Sequence, residues 1–163
     1  MKPEDLRHGN FSSVLEKHYS GRAPDFPKRF LKWFLENILR LDEFVADDAC
    51  VDAKHDKGVD AIYVDNVSEV VYVVQSKTKV SEKATLGDSE LKDFFGTLVQ
   101  FSSEKKIEKL YEETNNERLK QALKRNEVSE KVAAGYEVRG IFVTNVPAND
   151  DAHAYIEKPE LIE

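Results

Sequence analysis

The chain has 163 residues, 40% apolar and 34% charged, with a formal net charge of −7, a composition that suits one soluble domain with a single core. No apolar run approaches the roughly 20 residues of a membrane span, and Met1-Lys2-Pro3-Glu4-Asp5 opens no signal-peptide core, so no membrane partner is expected and a cytoplasmic location is. A lone Cys50 excludes an internal disulfide and reads as a small buried hydrophobe, and His8, His18, His55 and His153 lack any zinc-ligand spacing.

Phe11 to Tyr19 predicts a short helix capped by Ser12 or Ser13, and Gly21 to Pro24 breaks it, giving residues 1–24 the look of an amino-terminal helical extension. Asp25 is placed to cap a second helix that begins Phe26-Pro27, because proline is tolerated in the first turn. Between Phe30 and Leu41 apolar residues occupy so much of the helix that it must be largely buried. Its aromatic crowding reads as core packing, not as a platform for stacking bases. Val45 to Ala53 predicts a weak first strand, diluted by Asp47, Asp48 and Asp52.

Gly58 to Val64 and Val70 to Ser76 are rich in Val, Ile and Tyr and predict two strands, with Asp65-Asn66-Val67-Ser68 as the polar turn of a hairpin. Side chains alternate along a strand, so Gln75 and Lys77 share a face. In a simple antiparallel register the start of the first strand lies beside the end of the second, which brings Asp60 to Gln75 and Lys77.

Ser81 to Gly87 reads as a loop, and Asp88 or Ser89 as the cap of a helix carrying Leu91, Phe94, Phe95, Leu98 and Phe101. Residues 102–134 combine balanced charge with sparse apolar positions at Ile107, Leu110, Leu119 and Leu123. They predict a solvated helical hairpin interrupted at Asn115-Asn116 and added to the core. Tyr136 to Thr144 predicts a strand stopped near Pro147. Residues 25–147 thus form the core unit, and the acidic segment 148–163, closing on Pro159-Glu160-Leu161-Ile162-Glu163, is expected to lead into a further domain. The fold class is α/β, a mixed central sheet flanked by helices.

The polar residues at the hairpin end suit phosphodiester hydrolysis. A hard cation such as Mg²⁺ or Mn²⁺ takes oxygen ligands, which the Asp60 carboxylate and the Gln75 amide can supply. Lys77 offers a compact positive charge for the pentavalent phosphate, or a means to position the attacking water. Asp56 can add a ligand, although just before Gly58 it reads more readily as a turn residue.

These residues resemble the PD-(D/E)XK, or restriction-endonuclease-like, superfamily in the variant whose third motif is Gln-x-Lys, as in Mrr-like enzymes. Over roughly residues 26–101 the order of Trp33-Phe34-Leu35-Glu36-Asn37-Ile38-Leu39, Asp56-Lys57-Gly58-Val59-Asp60-Ala61-Ile62-Tyr63-Val64, Val74-Gln75-Ser76-Lys77 and Leu91 to Phe101 is similar to the amino-terminal region of the abortive-infection phage-resistance proteins. The resemblance implies an αβββαβ core and a nuclease-like domain in bacterial antiphage defence, acting on DNA with Mg²⁺ or Mn²⁺. It makes Asp60 the motif acid, Gln75 the substitute for the usual second acid, Lys77 the motif lysine and Glu36 the acid from the first core helix. Asp60, Gln75 and Glu36 are then the implied metal ligands, and a homodimer is left open.

A net charge of −7 opposes phosphate binding in general, but local charge can differ from the total. Lys28, Arg29 and Lys32 form one modest basic cluster and Lys77, Lys79 and Lys83 another. Two functional classes follow: a metal-dependent deoxyribonuclease, or a non-catalytic domain on the same fold that binds nucleic acid or a partner protein.

Overall fold

The computed structural model describes residues 2–51 and 58–157. A 3-10 turn, Pro3–Leu6, leads into α1, His8–Tyr19. Ser12 and Ser13 lie inside this helix, because the preceding turn allows it to start at His8 without a side-chain cap. Asp25 does cap α2, Phe26–Asn37, accepting a hydrogen bond from Lys28 N at 3.1 Å. The aromatic crowding on α2 is packing: Phe11 of α1 sits edge-on to Trp33 at 4.9 Å, and Phe30 stacks on Trp33 at 5.7 Å.

The expected first strand is corrected. Glu43–Ala49 is a helix, α3, whose Asp42 cap accepts from Phe44 N at 2.9 Å. Among the described residues of this stretch, extended pairing is a single antiparallel bridge between Cys50 and Ala61, and residues 52–53 lie outside the described residues. The hairpin is present as β1, Ala61–Asp65, and β2, Val70–Lys77. Asp65 makes the turn by accepting from Val67 N and Ser68 N.

The chain then runs through α4, Asp88–Val99; α5, Glu104–Glu113; α6, Glu117–Arg125; and α7, Val128–Ala133. It returns as β3, Glu137–Thr144, and ends in α8, Asp150–Ile156. The sheet order is β1-β2-β3, with β1 antiparallel and β3 parallel to the central β2. This is a mixed α/β architecture with helices on both faces of a three-stranded sheet, as expected. Among the described residues no helix is long and apolar enough to cross a membrane.

Two cores follow from strand alternation. Ile62, Val64, Val71 and Val73 pack on one face against Phe94 and Phe101, while Ala61 and Val74 pack on the other against Leu31, Phe34 and Leu35 of α2. Gly140 lets α4 approach β3, since a Cβ there would stand 2.3 Å from Leu98 Cδ1.

Residues 102–134 are not a solvated hairpin. They form three short helices, and Ile107, Leu110, Leu119 and Leu123 all join the same core as Val59, Ile62 and Phe94. Few apolar residues suffice because each short helix spends an i, i+3 or i, i+4 pair on the core face. The interruption falls where expected: Asn116 caps α6 through Arg118 N and Leu119 N, and its amide also donates to Val51 O at 3.2 Å.

Candidate functional site

The hairpin end sets the geometry of the expected site. Ala61 pairs with Val74 in the sheet register, yet Asp60 N also donates to Val74 O at 2.8 Å. Two successive residues therefore face one, the pattern of a β-bulge, and bulges re-aim the side chain they carry. The Asp60 carboxylate is directed at the backbone of the motif strand, with Oδ2 accepting from Ser76 N at 2.7 Å. Sequence spacing brings Asp60 to this strand, but the bulge and the Ser76 contact were not readable from it.

Gln75 lies on the α4 side of the sheet, next in alternation after Val71 and Val73. Gly58 passes over it: with φ at +77°, a conformation suited to glycine, its position leaves only 3.2 Å from an added Cβ to Gln75 Nε2 and 3.0 Å to Thr97 Oγ1. Gly58 is thus required both for backbone conformation and for close approach to the Gln75 amide. Among the described residues the buried Gln75 Oε1 atom has no hydrogen-bond partner, and the same holds for Ser76 Oγ. An orphaned buried amide oxygen costs about 1–3 kcal/mol, so its position calls for an acceptor's partner.

Lys77, the last residue of β2, is exposed and makes no ion pair among the described residues. The chain just beyond it is held rigidly. Asn145, 2% exposed, accepts from Lys79 N at 2.8 Å and donates to Lys79 O at 2.9 Å, prolonging the pairing of β2 and β3 with a side chain. Lys79 itself is committed to Glu90 Oε1 at 2.7 Å and Thr85 O at 2.9 Å. Of the lysines that follow the motif strand, Lys79 is therefore structural. Asn145 was legible only as the end of a strand before Pro147, because nothing local marks an amide that bridges to a residue 66 positions away.

Glu36 stands apart from this group. It lies on the flank of α2 that meets α1 and α3, where Oε2 accepts from Tyr19 OH at 2.9 Å and Oε1 stands 2.6 Å from Arg22 Nη1. Arg22 also pairs with Asp47 and reaches Glu43 Oε1 at 3.6 Å, and its guanidinium lies 5.7 Å from the Tyr19 ring centre. Burial opposes ionisation of Asp47, but hydrogen bonds from Arg22 and Lys32 outweigh it and hold the carboxyl below its usual range. The charge of Glu36 is thereby offset by Arg22, just beyond the end of α1. Asp56, the other acid considered, lies outside the described residues. Among the described residues no three His, Cys, Asp or Glu side chains are grouped to hold a metal.

The Tyr19 hydroxyl provides a pH test of this second cluster. Burial, then the hydrogen bond to Glu36, push its pKa from 10.0 up to about 12. A raised folded-state pKa contributes stability that is complete below the unfolded value near 10 and lost as pH rises towards 12. Thermal unfolding measured from pH 8 to 12 is expected to show a larger alkaline loss in the wild type than in Tyr19→Phe, in which Tyr63, also raised by burial, still contributes. Parallel curves would separate Tyr19 from the alkaline transition.

Three of the four residues expected to act together, Asp60, Gln75 and Lys77, occupy the same end of the same hairpin, and Glu36 is engaged elsewhere. No family model, curated protein or solved structure matches this chain.

Proposed function

We propose that this is a metal-dependent deoxyribonuclease domain of the restriction-endonuclease-like kind, serving in antiphage defence. The observation that carries the reading is the buried Gln75 Oε1, without a hydrogen-bond partner among the described residues, at the hairpin end that also carries Asp60, with an exposed lysine two residues on. The topology supports it: helix, a bridge at Cys50, antiparallel hairpin, helices, then a parallel strand, which is compatible with an αβββαβ core.

Asp60 and Gln75 are the residues that would hold Mg²⁺ or Mn²⁺, one by charge and one by a neutral oxygen, as hard cations require. The cation supplies Lewis acidity and a water of lowered pKa. Lys77 extends into solvent at the strand end, where its ammonium meets the phosphate and stabilises the charge that develops on it. Asp60 is held in place by the Ser76 N–H, so it presents a fixed carboxylate rather than a mobile one. Glu36 has no part in this ligand set, because Tyr19 and Arg22 engage it.

A second reading, a non-catalytic binding domain on the same fold, is favoured by one observation: an amide stands where a second acid would strengthen metal affinity. Calorimetric titration with Mn²⁺, paired with plasmid nicking, separates the two. The wild type is expected to bind Mn²⁺ and nick, Asp60→Asn to do neither, and Gln75→Glu to bind more tightly and nick at lower metal concentration. Tighter binding without nicking in either protein selects the binding domain. Unchanged affinity in Gln75→Glu removes Gln75 from the metal.

A further inference from the structure

We propose that the outer edge of β3 is a self-association surface, on which a second copy of this chain adds its own β3 in antiparallel pairing. β3 lies at one edge of the sheet. Glu137 N–H points inward, donating to Glu69 O at 2.9 Å, and backbone groups alternate along a strand. Arg139, Ile141 and Val143 therefore face β2 as well, while Val138, Gly140 and Phe142 turn their N–H and C=O groups outward. Among the described residues nothing pairs with that outward row. The amino-terminal half of the strand is the accessible half: Glu137, Arg139 and Gly140 are exposed, whereas Ile141 to Thr144 are half-buried. Exposure of Gly140 is exposure of backbone, and Leu98 already stands where its side chain would be.

An open edge of this kind is a template for another strand, and the charges on it specify which. Glu137 and Arg139 stand two residues apart on the α2 side of the sheet and pair with each other at 2.6 Å. Guards of one sign would repel a second copy of the strand, but this alternation of sign is its own complement. A two-fold axis through Val138 sets Glu137 opposite the partner's Arg139, and Arg139 opposite the partner's Glu137, in the non-hydrogen-bonded positions where facing side chains are closest. Val138 then exchanges N–H···O bonds with the partner's Val138. Gly140 N donates to the carbonyl of the partner's Tyr136, a residue whose own N–H is given to Lys131 O at 3.0 Å within each chain. Neighbouring registers do not match: an axis at Glu137 or Arg139 sets like charges face to face, and one at Gly140 sets the two charges opposite Val143 and Ile141. The pairing also covers the exposed half of the strand and leaves the other half, where Phe142 packs with Leu91 of α4 and Ala152 of α8, undisturbed. Such a contact is isologous and closes at a dimer.

Sedimentation equilibrium of the full chain, from micromolar to millimolar concentration, tests this. The wild type is expected to pass from monomer to dimer and no further. Glu137→Arg and Arg139→Glu should each weaken the dimer about tenfold or more, because each sets like charges opposite one another on both sides of the axis, and the double variant Glu137→Arg with Arg139→Glu should restore it. Val138→Pro removes an outward N–H that β2 does not use, a change an edge strand tolerates, and is expected to abolish association. Circular dichroism verifies folding; if the proline variant unfolds, the charge reversals and their rescue still decide. Deuterium exchange locates the contact: the Val138 and Gly140 amides of the wild type should exchange more slowly as concentration rises. A chain that stays monomeric, a dimer indifferent to the single reversals, a double variant no tighter than the single ones, or growth beyond a dimer overturns the proposal. None of these measurements involves metal or cleavage, so the result stands or falls independently of nuclease activity.

Discussion

Lys77→Ala is expected to remove cleavage of duplex DNA while leaving the fold intact. The side chain is exposed and makes no ion pair among the described residues, so its truncation leaves no cavity and strands no carboxylate. If its charge meets the phosphate, the loss falls on the transition state, where removing one stabilising group costs on the order of 10²- to 10³-fold in rate. Nicking rates at saturating Mn²⁺, with circular dichroism and thermal unfolding as controls, provide the comparison. A variant that unfolds like the wild type and cuts like it would make Lys77 a solvated strand end.

The largest effect on stability is expected from Leu119→Ala. Leu119 is 0% exposed and packs in the same core as Val59, Ile62 and Phe94, so shortening it removes buried methyl groups and leaves a cavity, at a cost of about 2–5 kcal/mol. The form of the transition matters as much as its size. If α5 to α7 belong to the central core, the variant unfolds in one transition at lower denaturant with unchanged slope. An early, separate loss of helical signal would mark these helices as an appendage that melts by itself.

That second experiment addresses the place where sequence reasoning was weakest. The hairpin was legible because β-branched runs and an Asp-Asn turn each point to the same structure, and the Asp25 cap was legible because side chain and helix start are local neighbours. Helices α5 to α7 looked solvated because charge outnumbers apolar residues there, although Ile107 with Leu110 and Leu119 with Leu123 already carry the spacing of a buried stripe. Asp47 and Asp48 made α3 look like a poor strand; in a short helix capped by Asp42 the same acids are at ease, and both find cationic partners, Arg22 and Arg125.

Within the candidate site, alternation along β2 gave the shared face of Gln75 and Lys77, and hairpin pairing brought Asp60 to the same strand end. The placement of Glu36 was not legible. Its neutralisation depends on Arg22, which lies across the Gly21–Pro24 break, and the angle between α1 and α2 that brings them together is a product of the Phe11, Phe30 and Trp33 packing. The bulge at Asp60 depends likewise on how the strand is paired, which residue types alone do not specify.

The order of the strands also bears on how the chain is made. β2 lies at the centre of the sheet, but its second neighbour, β3, is translated only after some sixty further residues, the span of α4 to α7. Until Glu137 to Thr144 leave the ribosome, one edge of Val70-Val71-Tyr72-Val73-Val74 has no strand to pair with, and an unpaired valine-rich edge is a template for association with other chains. Synthesis paused in α7, or a chain truncated before β3, should therefore yield aggregates rather than a smaller soluble domain, and a circular permutant that moves β3 ahead of the hairpin would protect that edge from the start.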